Sequence, residues 1–238
     1  MIGQDFPKIE WSIFGLDLLE PNAFIGDLLL FITSIILANK IKKQNNAHPF
    51  YKWWTQFFLL FGWSFLLGGF GHLLYNYLGL WGKYPSWLLG MVATFYLTNG
   101  MLSLWANDLQ KKNFIQAAKI LLFTGLAIEL IVFFSVDITV DQSKGLLIPT
   151  VVSGIGLLFS LVFVGGTYHR NLDAGFRYLW LAACILLPNA FIQSQKINLH
   201  PWFDRNDFSH ALLFSSLLLY YKTLRTTQHR IPFPNEHN

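Results

Sequence analysis

Residues 54–78 read WTQFFLLFGWSFLLGGFGHLLYNYL, with no Asp, Glu, Lys or Arg among them. A helix that crosses a bilayer needs roughly 17 to 25 mostly apolar residues. This stretch meets that requirement and predicts a membrane-spanning helix. It also carries His72 behind three glycines, Gly68, Gly69 and Gly71. A buried imidazole in such a helix needs a partner, water or a metal.

Six further apolar runs lie on either side of it. The predicted spans are residues 23–40, 54–78, 85–106, 114–136, 146–168, 175–195 and 206–224. The expected fold is therefore all-α: a polytopic membrane protein built as a seven-transmembrane-helix bundle, with residues 1–238 forming a single integral membrane domain. Composition agrees. The chain is 53% hydrophobic and only 13% charged, with a mean hydropathy of +0.41, where a soluble domain carries about 25% charged residues. No internal repeat or long linker separates a second domain.

The net charge of +4 is spread over short loops and reads as a topology signal, so no nucleic-acid partner is expected. Cys184 is the only cysteine, which excludes an intrachain disulfide. The N-terminus is acidic, through Asp5, Glu10, Asp17 and Glu20, and has no signal-peptide pattern. Residues 1–22 hold Trp11, Phe14, Leu18 and Leu19 among these acids, which predicts a short interfacial helix ahead of Pro21.

Lys and Arg set the orientation. Twelve of the seventeen fall in the loops after the first, third and fifth spans and after the seventh; five fall on the other side. The N-terminal segment 1–22 is expected outside and a polar tail, 226–238, in the cytoplasm. With that topology seven polar groups from five spans share the outer half: Asp27, His72, Glu129, Asn189, Gln193, Asp207 and His210. The inner half has fewer, chiefly Asn99 and Ser103.

The last span opens with Phe203-Asp204-Arg205-Asn206-Asp207-Phe208-Ser209-His210. Asp207 and His210 stand three apart, on one helix face. The bland reading makes Asn206 or Asp207 a helix cap and His210 a wetted interface residue. The sharper reading groups His72, Asp207 and His210 as ligands of zinc, which accepts His nitrogen and Asp oxygen and activates a bound water. Asp27 and Glu129 are then the candidate catalytic proton acceptors. No H-E-x-x-H, nucleophile elbow, P-loop or dinucleotide motif is present.

The span layout, a His late in the second span and a polar-x-x-x-His opening the seventh resemble the alkaline ceramidase and progestin/adipoQ-receptor superfamily. The resemblance covers the layout of the whole chain. It implies a zinc held by His72 and His210, and hydrolysis of an amide bond in a lipid. Asn206 stands where the family's H-x-x-x-H has its first His, with Asp207 as the stand-in, and Gly68 stands where it has a Ser. The third span opens on Lys83 and Tyr84 rather than on an Asp. Asn-Asp-x-x-His also looks similar to bacterial members of the group, which implies a bacterial inner membrane. Membrane lipids and a lipid-like substrate are the expected partners. Three functions stay open: a metal-dependent membrane hydrolase acting on an amide or ester, a receptor or structural protein with a polar pocket, and a transporter. A transporter would place polar groups in both halves of the membrane.

Overall fold

The computed structural model describes residues 6–44, 48–138 and 142–231. The helices are α1 (Pro21–Gln44), α2 (Pro49–Leu73), the single turn α3 (Tyr75–Leu78), α4 (Tyr84–Leu102), α5 (Asp108–Ser135), α6 (Gln142–Leu157), α7 (Gly165–Asn171), α8 (Arg177–Ser194) and α9 (Arg205–Thr227). A π-helical stretch, Leu158–Val164, joins α6 to α7 without a break. Each of the seven predicted spans thus falls on a helical run. Five runs are long and apolar enough to cross a membrane: Pro21–Lys43, Pro49–Leu73, Asp108–Ser135, Lys144–Asn171 and Ala174–Gln193. The other two, α4 and α9, carry more polar residues, among them Thr94, Thr98 and Asn99 on one and Asn206, Asp207, His210 and Lys222 on the other.

The helices pack in a closed ring. α1 lies against α2, α2 against α4, and α4 against α5 and α6; the π stretch and α7 meet α8, α8 meets α9, and α9 returns to α1. The ring leaves apolar stripes outside. Ile25, Leu29, Ile32 and Ile36 are exposed along α1, and Ile120, Phe123, Ile131 and Phe134 along α5. An aqueous protein rarely exposes apolar surface of this extent. The molecule has the surface of an integral membrane protein.

Its apolar core lies toward the end where α2 begins. Phe50, Trp54, Phe57 and Phe58 are fully buried. Trp54 meets Phe57 edge-on at 5.5 Å and Tyr220 of α9 at 5.9 Å, and Phe50 meets Phe176 at 6.4 Å. The Tyr168 hydroxyl donates to the Met101 carbonyl at 2.6 Å and ties α7 to α4. The second span starts five residues earlier than expected because Pro49 sits at its first turn and the His48 ring accepts from the Phe50 amide at 3.1 Å.

One expectation is corrected. The segment before Pro21 is not an interfacial helix. It is a hairpin of β1 (Glu10–Ile13) and β2 (Leu16–Leu19), pairing Glu10 with Leu19 and Ile13 with Leu16. Phe14 and Gly15 form a two-residue turn with φ of 54° and 77°, the positive values that a tight hairpin requires. The hairpin docks on α3 through the Asp17 amide, which donates to the Tyr77 hydroxyl at 2.9 Å. At the other terminus α9 runs to Thr227, so helix occupies the start of the expected tail; residues 232–238 lie outside the described residues.

Gly71 sets how closely α2 approaches the turn before α4. A Cβ there would lie 2.6 Å from the Gly82 carbonyl oxygen, which is backbone and cannot swing away. Gly71→Ala should lower stability by about 1–3 kcal/mol, the usual cost of overpacking. Gly154→Ala meets nothing within 4 Å among the described residues and should be neutral or mildly stabilising. Thermal unfolding of the two variants in detergent checks the contrast.

Candidate functional site

Four segments meet at the end of the ring away from the apolar core, around Glu20. Glu20 is 1% exposed and has a positive φ of 51°. The Lys8 ammonium lies 2.5 Å from Oε1 of Glu20 and 2.6 Å from Oδ2 of Asp204. Nδ1 of His72 lies 2.6 Å from the other oxygen of Glu20, Oε2. Nζ of Lys83 is 4.0 Å from that oxygen and 3.2 Å from the same ring nitrogen. Asn206 completes the group, donating to Oε1 of Glu20 at 3.3 Å. The N-terminal segment, α2, the start of α4 and the start of α9 are joined through this one carboxylate.

Electrostatics follow from that enclosure. Burial works against the charge on Glu20, but His72, Lys83 and Lys8 outweigh it and hold the carboxyl well below the usual carboxylate range. Burial also opposes the Lys8 charge, yet Glu20 and Asp204 raise its ammonium above the ordinary lysine value. At Lys83 burial wins and lowers the ammonium, even with Glu20 beside it.

Next to this network, α9 begins with a capping box. Asp204 is the cap: its side chain accepts from the Asn206 amide at 2.7 Å and the Asp207 amide at 3.4 Å. Asp207 returns the bond, accepting from the Asp204 amide at 2.9 Å, and it also accepts from Asn22 Nδ2 at 2.7 Å. The helix cap is therefore Asp204, not Asn206 or Asp207. Such reciprocal bonds satisfy amides that a helix start leaves open.

A second pair lies one turn further along α9. Nε2 of His210 is 3.0 Å from Oδ1 of Asp27 on α1. Gly26 makes room for the ring, since a Cβ there would lie 2.5 Å from Nδ1. Gly69 does the same for Asp27, whose Cβ would be 2.9 Å from an added methyl. Ser86 on α4 and Oδ2 of Asp27 both border the space beside Gly68. Three buried atoms along the α1–α9 seam have no hydrogen-bond partner among the described residues: Oδ1 of Asn22, Oδ2 of Asp27 and Nδ1 of His210.

Each expected site residue thus has a defined place. Asp27 and His210 are brought together. His72 sits in the Glu20 network, and Asp207 belongs to the capping box. Glu129 is fully buried on α5, its carboxylate oxygens without hydrogen-bond partners among the described residues and its carbonyl accepting from Tyr84 at 2.6 Å. Of the other polar groups, Gln193 donates to the Ser209 hydroxyl at 2.7 Å and the Arg205 carbonyl at 3.1 Å. Zinc ligands must converge on one point about 2.0–2.2 Å from each donor atom. Among the described residues, no group of three His, Cys, Asp or Glu side chains is placed to hold a metal. Nδ1 of His72 is already engaged by the Glu20 carboxylate, and the Lys83 ammonium 3.2 Å away places a positive charge where a divalent cation would sit. As placed, the residues do not fit a zinc shell.

The sequence reading missed Lys8, Glu20, Asn22, Lys83 and Asp204 as members of the site. Their signal was faint. Glu20 directly precedes the helix-starting Pro21, and Asp204 stands three residues before Asp207, the spacing of a capping box.

The fold and surface define a helical integral membrane protein with a buried polar cluster at one end. The chain belongs to a family of unknown function, DUF6962, whose profile matches residues 23–229. That range takes in Asp27, His72, Lys83, Glu129, Asp204, Asp207 and His210 and leaves Lys8 and Glu20 outside. No curated protein and no solved structure matches the chain.

The Glu20 network makes stability depend on pH in a set direction. The folded-state value lies below the unfolded value of 4.5, so its contribution is full above about pH 4.5 and is lost as pH falls through the folded value. Glu20→Gln leaves Lys8 and Lys83 without their shared counter-charge and should cost about 3–5 kcal/mol at pH 7. Melting curves in detergent between pH 7 and pH 3.5 should slope down for the parent protein and be flatter, from a lower start, for Glu20→Gln.

Proposed function

We propose that this protein is a seven-span membrane hydrolase that cleaves an amide or ester bond of a lipid-like amphiphile at the Asp27–His210 pair. Its N-terminus faces outward and its tail the cytoplasm, in a bacterial inner membrane. The observation that carries the reading is the asymmetry of His210. One ring nitrogen is tied to a buried carboxylate, while the other is buried beside Gly26 and has no hydrogen-bond partner among the described residues.

The chemistry follows from the tautomer. Asp27 accepts from Nε2–H, which leaves the lone pair on Nδ1. That nitrogen takes a proton from water as the water oxygen bonds to the substrate carbonyl carbon. The Asp27 carboxylate stabilises the resulting imidazolium, the role an orienting carboxylate plays in serine hydrolases. His210 then passes the proton to the leaving nitrogen or oxygen as its bond to carbon breaks. No step runs through a metal.

A receptor-like protein without chemistry is the second reading. It is favoured by the Glu20 network, in which charged groups satisfy one another and cross-link the segments. The transporter reading is weaker, because the buried acids and the network's charges gather at one end of the bundle.

His210→Ala and Asp27→Asn should each lower turnover of N-acyl or O-acyl lipids by about 10²–10⁴-fold, the usual share of a general base. His72→Gln, in the Glu20 network, should stay within about tenfold of the parent. A zinc centre built on His72 and His210 would instead inactivate both histidine variants, with about one zinc per parent chain lost in each. An absence of product from the parent on every lipid tried would leave the receptor reading standing. Topology has its own check: reporters fused at Arg225 and within Asp137–Lys144 should lie on opposite sides of the membrane, and same-side signals would overturn the seven-span arrangement.

A further inference from the structure

At the end of the bundle opposite Glu20, two cations converge on one phenol. The Arg177 guanidinium lies 5.1 Å from the Tyr178 ring centre and donates to its hydroxyl at 3.3 Å. The Lys222 ammonium of α9 lies 4.3 Å from the same ring centre. Beside them Lys40 of α1 stands 5.9 Å from the ring of Tyr221. Among the described residues no carboxylate pairs with Arg177 or Lys222. Asp173, four residues before Arg177, is taken by Arg230 at 2.9 Å. A neutral phenol attracts each cation through its ring, but it does not neutralise two like charges held this close.

The surface leading away from them is apolar on both helices. Leu181, one turn after Arg177 on α8, is exposed, as are its neighbour Trp180 and Leu218, one turn before Lys222 on α9. A polar head and an acyl chain placed together would meet matching surfaces in that order.

We infer that Arg177, Tyr178 and Lys222 form a binding site for the phosphate of an anionic phospholipid, with its acyl chains along the α8–α9 seam. The phosphodiester supplies the missing negative charge and accepts from the guanidinium, the ammonium and the phenol. Clustered cations at the end of membrane helices attract such headgroups. The site is separate from Asp27 and His210 and does not depend on any activity there.

The test uses the full chain in nanodiscs made from equal parts phosphatidylglycerol and phosphatidylcholine, with retained lipid counted by native mass spectrometry. The parent should retain the anionic lipid several-fold over the zwitterionic one. The Arg177→Gln/Lys222→Gln variant should lose that preference while keeping its melting temperature. Lys112→Gln/Lys119→Gln, which removes the same charge from α5, should keep it. An equal loss in the α5 variant would reduce the effect to general basicity and overturn the site. So would an unchanged preference in Arg177→Gln/Lys222→Gln, or no preference in the parent. Displacement of the lipid by millimolar inorganic phosphate would assign the site to free phosphate instead.

Discussion

The buried Glu20 carboxylate is the constraint on which the rest of this end of the molecule depends. An isolated ion removed from water costs several kcal/mol even after the protein relaxes. Glu20 meets that cost by accepting from groups on four separate parts of the chain: Lys8, His72, Asn206 and, at longer range, Lys83. None of these is near another in sequence except His72 and Lys83. The carboxylate therefore fixes tertiary geometry rather than local structure. It holds the hairpin strap on the bundle and sets where α9 begins relative to α2. Lys8 extends the lock to Asp204, so the residue that caps α9 is also a partner of the N-terminal segment.

That arrangement separates two kinds of polar group that look alike in a list of residues. His72 and His210 are both histidines near the same end of neighbouring helices. His72 is engaged by a carboxylate and approached by an ammonium at one nitrogen. His210 is engaged at Nε2 and leaves a buried nitrogen with no partner among the described residues. Buried polar groups in proteins are nearly always satisfied. A histidine held among opposite charges argues for a structural role, and a buried ring nitrogen left open argues for a ligand, a substrate or water. The proposed chemistry is placed at His210 on this distinction.

Much of the fold was legible because the bilayer imposes a length. Seven apolar runs were separated by charged loops, and each falls on a helix. Boundaries moved where caps decided them: Pro49 with His48 drew α2 earlier, and Asp204 rather than Asn206 opened α9. The interfacial helix expected from Trp11, Phe14, Leu18 and Leu19 among acids gives way to a hairpin because Trp11 and the two leucines fall in two short runs that pair as strands. Their partner signal was the Phe14-Gly15 turn between two short runs. The pairing of Asp27 with His210 could be anticipated only as shared depth, because nothing in one sequence states which helices are neighbours. The Glu20 network was harder still. Lys8 and Glu20 lie outside every span, where depth arguments do not reach.

The two ends of the bundle treat charge in opposite ways, and the difference has a physical reason. Around Glu20 cations and anions are drawn inward and paired with each other, so the surface above them gains little net field. At the other end Arg177, Lys222 and Lys40 remain at the surface over tyrosine rings, with the nearby Asp173 already engaged. Internal pairs are weakly screened by salt, while exposed cations are screened within about 8–10 Å and respond to whatever anion the surroundings supply. One end is thus held by the protein's own counter-charges. The other end leaves its cations open to the anions of its surroundings, so the α8–α9 seam is held by the Gln193–Ser209 bond at one end and carries the proposed lipid site at the other.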